Sequence, residues 1–192
     1  VPNYLMSLMD NNIISATRQE FEFINGEKFH IDWVEHHLAH AASTFFTSPF
    51  ESAAILTVDG FGEKSCVLFS RGKDHQIEPL YRQEFPHSIG CFYAALTEFM
   101  GFRPECDEWK VMGAAANGDP ERFYQKLSDL IFLKNNGGFE LELSYFNFYQ
   151  FHRPKYYTPK LIDYLGIKPN SEPVDLSQVY YDLSAAVQKV TE

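Results

Sequence analysis

The sequence predicts a mixed α/β fold, and three observations predict it. Short apolar runs of strand length alternate with segments whose apolar residues recur at helical spacing, and glycine- or asparagine-containing turns separate them. Hydrophobic residues fill 45% of the 192 positions, with 18 Phe and 11 Tyr, which is enough to build a buried core and argues against disorder. A net charge of −10 argues against a binder of nucleic-acid phosphates, whose affinity rests on Lys and Arg. No apolar run reaches the roughly 18 residues of a membrane span, and no basic segment followed by an apolar stretch opens the chain. Cys66, Cys91 and Cys106 are widely spaced without a CxxC pair. A soluble protein of the reducing cytoplasm, with neither nucleic-acid nor membrane partners, is therefore expected.

The elements follow in order. Residues 1–14 carry Leu5, Leu8 and Met9 at helical spacing and read as a short amphipathic helix. Strands at 20–24 and 29–34 surround Asn25-Gly26, and the second feeds a helix over about 37–46. Ala53 to Val58 is a continuous apolar run with Thr57 its one polar member, which suits a strand buried on both faces. Strands at 65–70 and 77–85, turned at Arg71-Gly72-Lys73-Asp74, complete an antiparallel meander.

Pro86-His87-Ser88-Ile89-Gly90 opens a helix over 91–100, and a loop with a short helix spans 105–118. A helix over 121–133 directs Phe123, Leu127, Leu130 and Ile131 to the core, and Asn135-Asn136-Gly137-Gly138 turns into a strand at 139–143. Aromatics crowd 145–157, a linker covers 166–173, and a final helix occupies 175–191.

Two adjacent motifs carry the chemistry. In Glu35-His36-His37-Leu38-Ala39-His40, residues 36 and 40 share a helical face, so their imidazoles can grip a divalent metal; the ordinary alternative is a pair of surface or core histidines. Asp59-Gly60-Phe61-Gly62-Glu63 ends the apolar run, and its glycines allow close backbone approach to an anion while the Asp carboxylate offers itself to a metal. The bland reading of that turn is a hairpin containing Asp-Gly. His87 and Ser88 sit where a helix cap belongs, with a substrate contact as the sharper reading. Lys110 beside Gly113 can hold a phosphate or carbamoyl oxygen, or be a solvated lysine. The 145–157 aromatics can stack on a base or sugar, or form the core of an insertion.

Together these segments resemble the carbamoyltransferases of the nodulation NodU and cephamycin CmcH type. The resemblance runs through His36-His37-Leu38-Ala39-His40-Ala41-Ala42-Ser43 with Ser48-Pro49-Phe50, Val58-Asp59-Gly60-Phe61-Gly62-Glu63, Phe85-Pro86-His87-Ser88-Ile89-Gly90 and Glu108-Trp109-Lys110-Val111-Met112-Gly113. It covers about residues 31–190, with four motifs in the family's order. One departure stands out: where the family usually reads Leu-Ala-Pro-Tyr-Gly, this chain has Ala114-Ala115-Ala116-Asn117-Gly118.

The resemblance implies a ribonuclease H-like lobe of the actin and hexokinase ATPase superfamily, with a helical, aromatic-rich insertion over about 101–172. Residues 1–192 would form a single partial domain, without the family's preceding lobe and YrdC-like carboxy-terminal domain. It implies metal ligands His36, His40 and Asp59 for iron or another divalent ion, with a further ligand outside the chain. Nucleotide contacts fall on Gly60, Gly62, Glu63, Lys110 and Gly113; the catalytic group is unassigned, with His37 and His87 as candidates. The implied activity takes ATP and carbamoyl phosphate, forms a carbamoyl adenylate, and carbamoylates a hydroxyl of a small-molecule acceptor. Two alternatives stand beside it: a noncatalytic ATPase-fold module, and a relative that modifies tRNA threonine, against which the Asp59 turn and the acidic charge argue.

Overall fold

In the first of two units, Val1–Glu84, a hairpin leads directly into the histidine helix. The computed structural model describes residues 16–150, 152–171 and 177–192; the helix expected over 1–14 lies outside these, as do Phe151 and the start expected for the last helix. Strands β1 (Ala16–Glu22) and β2 (Lys28–Val34) pair antiparallel. Their connection turns at Gly26, whose φ of 84° lies in the left-handed region that glycine adopts without a Cβ penalty. Glu35 alone separates β2 from helix α1 (His36–Phe45).

Strands β3 (Ser52–Val58), β4 (Ser65–Lys73) and β5 (Gln76–Glu84) form the expected meander, in the order β3-β4-β5. The second turn is tighter than the sequence suggests. Arg71, Gly72 and Lys73 remain paired with β5, and the reversal falls on Asp74, with φ 54°, and His75.

Helix α1 lies on one face of this meander, where Ala41 and Phe45 pack on Ile55 between Ala53 and Ile77. Gly72 makes room for it, because a Cβ there would stand 2.7 Å from the Phe45 ring. β3 departs from expectation, since its burial alternates: Ile55 and Thr57 are buried while Leu56 and Val58 are 57% and 51% exposed. Among the described residues the run is covered on one face, so its continuous hydrophobicity overstated its burial.

The second unit, Phe85–Glu192, holds the larger core. Helix α2 (Ile89–Phe99) begins where Ser88 Oγ accepts the Cys91 amide at 3.1 Å, so Ser88 is the cap. Helices α3 (Glu108–Ala115) and α4 (Glu121–Ser128) follow, then strands β6 (Ile131–Leu133) and β7 (Phe139–Leu141), a 3₁₀ turn (Leu143–Tyr145), α5 (Pro159–Leu165) and α6 (Gln178–Thr191). The helix expected over 121–133 is a correction. It stops at Ser128, and Ile131 to Leu133 pair with Phe139 to Leu141 across the Asn135 to Gly138 turn, because a hairpin satisfies their backbone groups.

Phe92, Leu96, Phe99, Phe146, Leu161 and Leu183 are fully buried in this core. Phe146, Phe148 and Tyr157 join it, so the aromatic-rich stretch serves chiefly as core. Cys66 and Cys91 are buried and Cys106 is exposed, and none of the three forms a disulfide. No helix among the described residues is long and apolar enough to cross a membrane.

Two core tyrosines make alkaline stability a testable property of this unit. Burial, reinforced by Glu108 and Glu192, pushes the Tyr93 phenol up to about 12, and burial with Glu98 pushes Tyr157 to about 12. Both folded values exceed the ordinary value of 10.0, so the native state holds these protons more tightly than the unfolded chain. Their contribution is complete below that ordinary value and is lost as pH rises from it toward about 12. Chemical denaturation followed across that range should show falling stability, reduced in Tyr93→Phe; an unchanged slope in that variant would remove Tyr93 from the account.

Candidate metal centre

α1 offers His36 and His40 to the end of β3. His36 is its first residue and His40 lies one turn on, so both rings project from the same face. Asp59 follows β3 directly, and its amide donates to the Cys66 carbonyl at 2.9 Å, which fixes the mouth of the β3–β4 hairpin. The turn is therefore a hairpin and a ligand platform at once.

Three atoms converge between them. His36 Nε2 lies 2.7 Å from Asp59 Oδ2 and 3.0 Å from His40 Nε2, and His40 Nε2 is 3.4 Å from the same carboxylate oxygen. A neutral imidazole nitrogen holds either one proton or one in-plane lone pair, so His36 Nε2 cannot satisfy both neighbours by hydrogen bonding. A divalent ion held between them would engage both nitrogens and the carboxylate. Ligands about 2.0–2.2 Å from one metal lie roughly 2.8–3.1 Å apart at right angles and about 3.3–3.6 Å at tetrahedral angles, which spans most of the separations found here. Two imidazoles and a carboxylate are a donor set that divalent first-row ions accept. Burial alone would raise the Asp59 carboxyl, but hydrogen bonds from His36, the Gly60 amide and His40 outweigh it and hold the group below its ordinary range, hence anionic.

The flanking residues orient these groups. Glu63 Oε2 accepts the His36 amide at 3.2 Å, placing a carboxylate at the helix amino terminus where unpaired N–H groups favour negative charge. Gly62 lies against the same histidine, since a Cβ there would stand 2.8 Å from His36 Cβ. Its backbone is not in the left-handed region, so what it supplies is clearance and not an unusual φ. Gly60 donates its amide to Asp59 Oδ1 at 2.7 Å.

His37 turns inward and is fully buried. Its Nε2–H donates to the Ser65 carbonyl at 2.8 Å, which leaves Nδ1 to accept from the Thr57 hydroxyl at 2.7 Å. Burial, outweighing the Ser65 bond, lowers its pKa, so the ring is a neutral tie between α1 and the sheet. In the second unit, His87 Nδ1 accepts the Leu141 amide at 3.0 Å, which leaves its neutral ring with Nε2 as a donor. Neither candidate histidine presents an unengaged basic nitrogen.

A scan of known families matches residues 4–192 to the carbamoyltransferase N-terminus. The chain belongs to this family. It is 39% identical over 158 residues to an uncharacterized protein of Synechocystis sp., covering 82% of the chain and 25% of that protein. It is 32% identical over 162 residues to the nodulation protein NolNO of Sinorhizobium fredii, covering 84% and 22%. The nodulation protein NolO of Bradyrhizobium diazoefficiens is 28% identical over 162 residues, with 83% and 26% covered. The chain thus spans about a quarter of the length of these curated relatives.

The remaining expected residues, Lys110 and Gly113, lie on α3. Lys110 Nζ is 3.1 Å from Asp107 Oδ1 and lies over the Phe102 and Trp109 rings at 5.6 and 5.5 Å. Arg103 also bonds Asp107, chiefly responsible for holding that carboxyl well below its ordinary range. Gly113 is exposed, and a Cβ there would meet nothing within 4 Å. Trp109 and Met112 are exposed beside it, at the i, i+3, i+4 spacing of one helix face. The sequence reading chose Lys110 and Gly113 and missed this apolar neighbour pair, although the spacing was visible.

Proposed function

We propose that this chain contributes the metal-binding part of an O-carbamoyltransferase, acting on a carbamoyl adenylate made from carbamoyl phosphate and ATP and delivering the carbamoyl group to a small-molecule hydroxyl. The observation that carries the reading is the convergence of His36 Nε2, His40 Nε2 and Asp59 Oδ2 in a chain of the carbamoyltransferase N-terminus family. A meander covered on one face by α1 agrees with a ribonuclease H-like lobe of the actin and hexokinase type.

His36, His40 and Asp59 would hold iron or another divalent ion, with at least one further ligand from outside the chain. The ion, when bound, supplies a Lewis acid that neutralises negative charge on the adenylate's phosphate. In the transfer, the acceptor oxygen bonds the carbamoyl carbon, the bond from that carbon to the phosphate oxygen breaks, and AMP leaves with the electron pair. The acceptor proton passes to a base not supplied by His37, whose two ring nitrogens are both engaged.

Within the chain, Glu63 and Gly62 orient His36, while the Gly60 amide orients Asp59, so these turn residues serve the ligands directly and a nucleotide only through them. Lys110, charge-balanced by Asp107 and flanked by exposed Trp109 and Gly113, offers a point charge, a stacking surface and close backbone approach for the nucleotide. The test is carbamoyl transfer by the full-length protein before and after chelation. Activity should vanish with the metal and return on adding a divalent ion; full activity of a metal-free preparation would overturn the reading.

A further inference from the structure

Three consecutive residues at the start of α1 reach three different parts of the meander. His36 meets Asp59 and Glu63 after β3, and His37 joins Thr57 of β3 to Ser65 of β4. Glu35 reaches β5: Arg82 Nη1 donates to its Oε1 at 2.6 Å and to Ser65 Oγ at 3.3 Å. Glu35 is only 8% exposed, and its second oxygen, Oε2, is buried with no hydrogen-bond partner among the described residues. Its side chain does not cap its own helix, although it occupies the N-cap position. Its carbonyl instead accepts the Ala39 amide at 2.9 Å and starts the helical ladder.

For stability alone this is a poor arrangement. An ion pair with one buried and one partly exposed partner gains little over packed apolar residues, and an unmet carboxylate oxygen subtracts from that gain. What the pair provides is direction. Arg82 donates through one nitrogen to both Glu35 and Ser65, and Ser65 in turn receives His37, so the residues before and after His36 are tied to one strand-borne network.

We infer that Glu35 and Arg82 are positioning residues of the metal centre, fixing the first turn of α1 against β5 so that His36 is aimed at Asp59. The inference rests on the metal reading above. It adds that ligand geometry depends on a pair outside the three candidate ligands. Partners of this kind, one step removed from the metal, typically govern affinity by 10- to 100-fold.

The test is a titration of the full-length protein with Co(II), followed by heat and by the visible spectrum of the ion, with thermal melting recorded alongside. Arg82→Gln should weaken Co(II) binding about 10-fold and alter the spectrum. Phe45→Leu, at the opposite end of α1, should lower the melting temperature yet bind Co(II) as the wild type does. Wild-type affinity and spectrum in Arg82→Gln would overturn the inference while the metal reading stands. Absence of Co(II) binding by the wild type would instead overturn the metal reading itself, and the inference with it. Should Arg82→Gln not fold, Arg82→Lys takes its place, keeping the charge but not the planar fork. It is expected to weaken binding about threefold, and wild-type affinity there overturns the inference equally.

Discussion

Replacing His40 with alanine is expected to abolish divalent-metal binding by this chain while leaving its fold intact. Among the described residues three ligand atoms approach one point, and on the reading proposed above the set is completed from elsewhere, so wild-type affinity is expected to be weak. Removing one of three leaves His36 and Asp59 hydrogen-bonded to each other at 2.7 Å, an arrangement that needs no ion. The loss should reach about 100-fold or more, below detection in calorimetry. Stability should hardly move, within about 0.5 kcal/mol, because the His40 side chain is half exposed and alanine favours helix. His75→Ala, in the exposed β4–β5 turn, is the matched control and should bind as the wild type does. Unchanged binding in His40→Ala would place any ion elsewhere and withdraw the chemical support for carbamoyl transfer.

The largest loss of stability is expected from Gly118→Ala. A Cβ on Gly118 would lie 1.9 Å from the Tyr181 carbonyl oxygen, 2.2 Å from its carbon and 2.7 Å from the Asp182 nitrogen. All three are backbone atoms of α6, so no side-chain rotation relieves the clash. The turn has to retreat from the helix, and its attachments go with it. Asp182 accepts the Asp119 amide at 2.9 Å, Gln178 at 2.8 Å and Arg122 at 3.1 Å. That carboxylate is nearly buried, so leaving it short of donors adds to the overpacking. A loss of about 3 kcal/mol or more is expected, lowering the melting temperature by roughly 6–12 °C. Asn117→Ala, one residue earlier with an exposed side chain, should melt near the wild type. A Gly118→Ala protein as stable as the wild type would mean that α6 does not approach this turn so closely.

This glycine also accounts for one retained position in the otherwise altered run at 114–118. Against the usual Leu-Ala-Pro-Tyr-Gly, the chain matches at Ala115 and Gly118. The second match has a steric cause in the Tyr181 carbonyl. Nothing in the structure explains Ala116 and Asn117 in place of the proline and aromatic.

What could be read in advance was what a local period encodes. Helical phase put His36 and His40 on one face, and the end of an apolar run put Asp59 at a strand terminus. The structure brings the three together. Glu35 and Arg82 were invisible because they lie 47 positions apart and neither forms a motif. Gly62 was expected to matter for its backbone freedom, yet its service is to clear His36, a contact between residues distant in sequence. Residues 131–133 read as helix because their apolar pattern continues that of α4, and only pairing with 139–141 made them a strand. β3 read as buried throughout because apolar content does not reveal how many faces a neighbour covers.

The segment from Glu35 to Asp59 also determines where chain length can vary. One residue inserted between His36 and His40 would swing the second imidazole by about 100° around the helix axis, away from the first. An insertion within β3 would send Asp59 to the opposite side of the sheet. The connection at 46–51 is different, because it joins α1 to β3 without setting the phase of either. A single residue inserted after Leu38 should therefore cost the chain its metal site while leaving the meander able to pair.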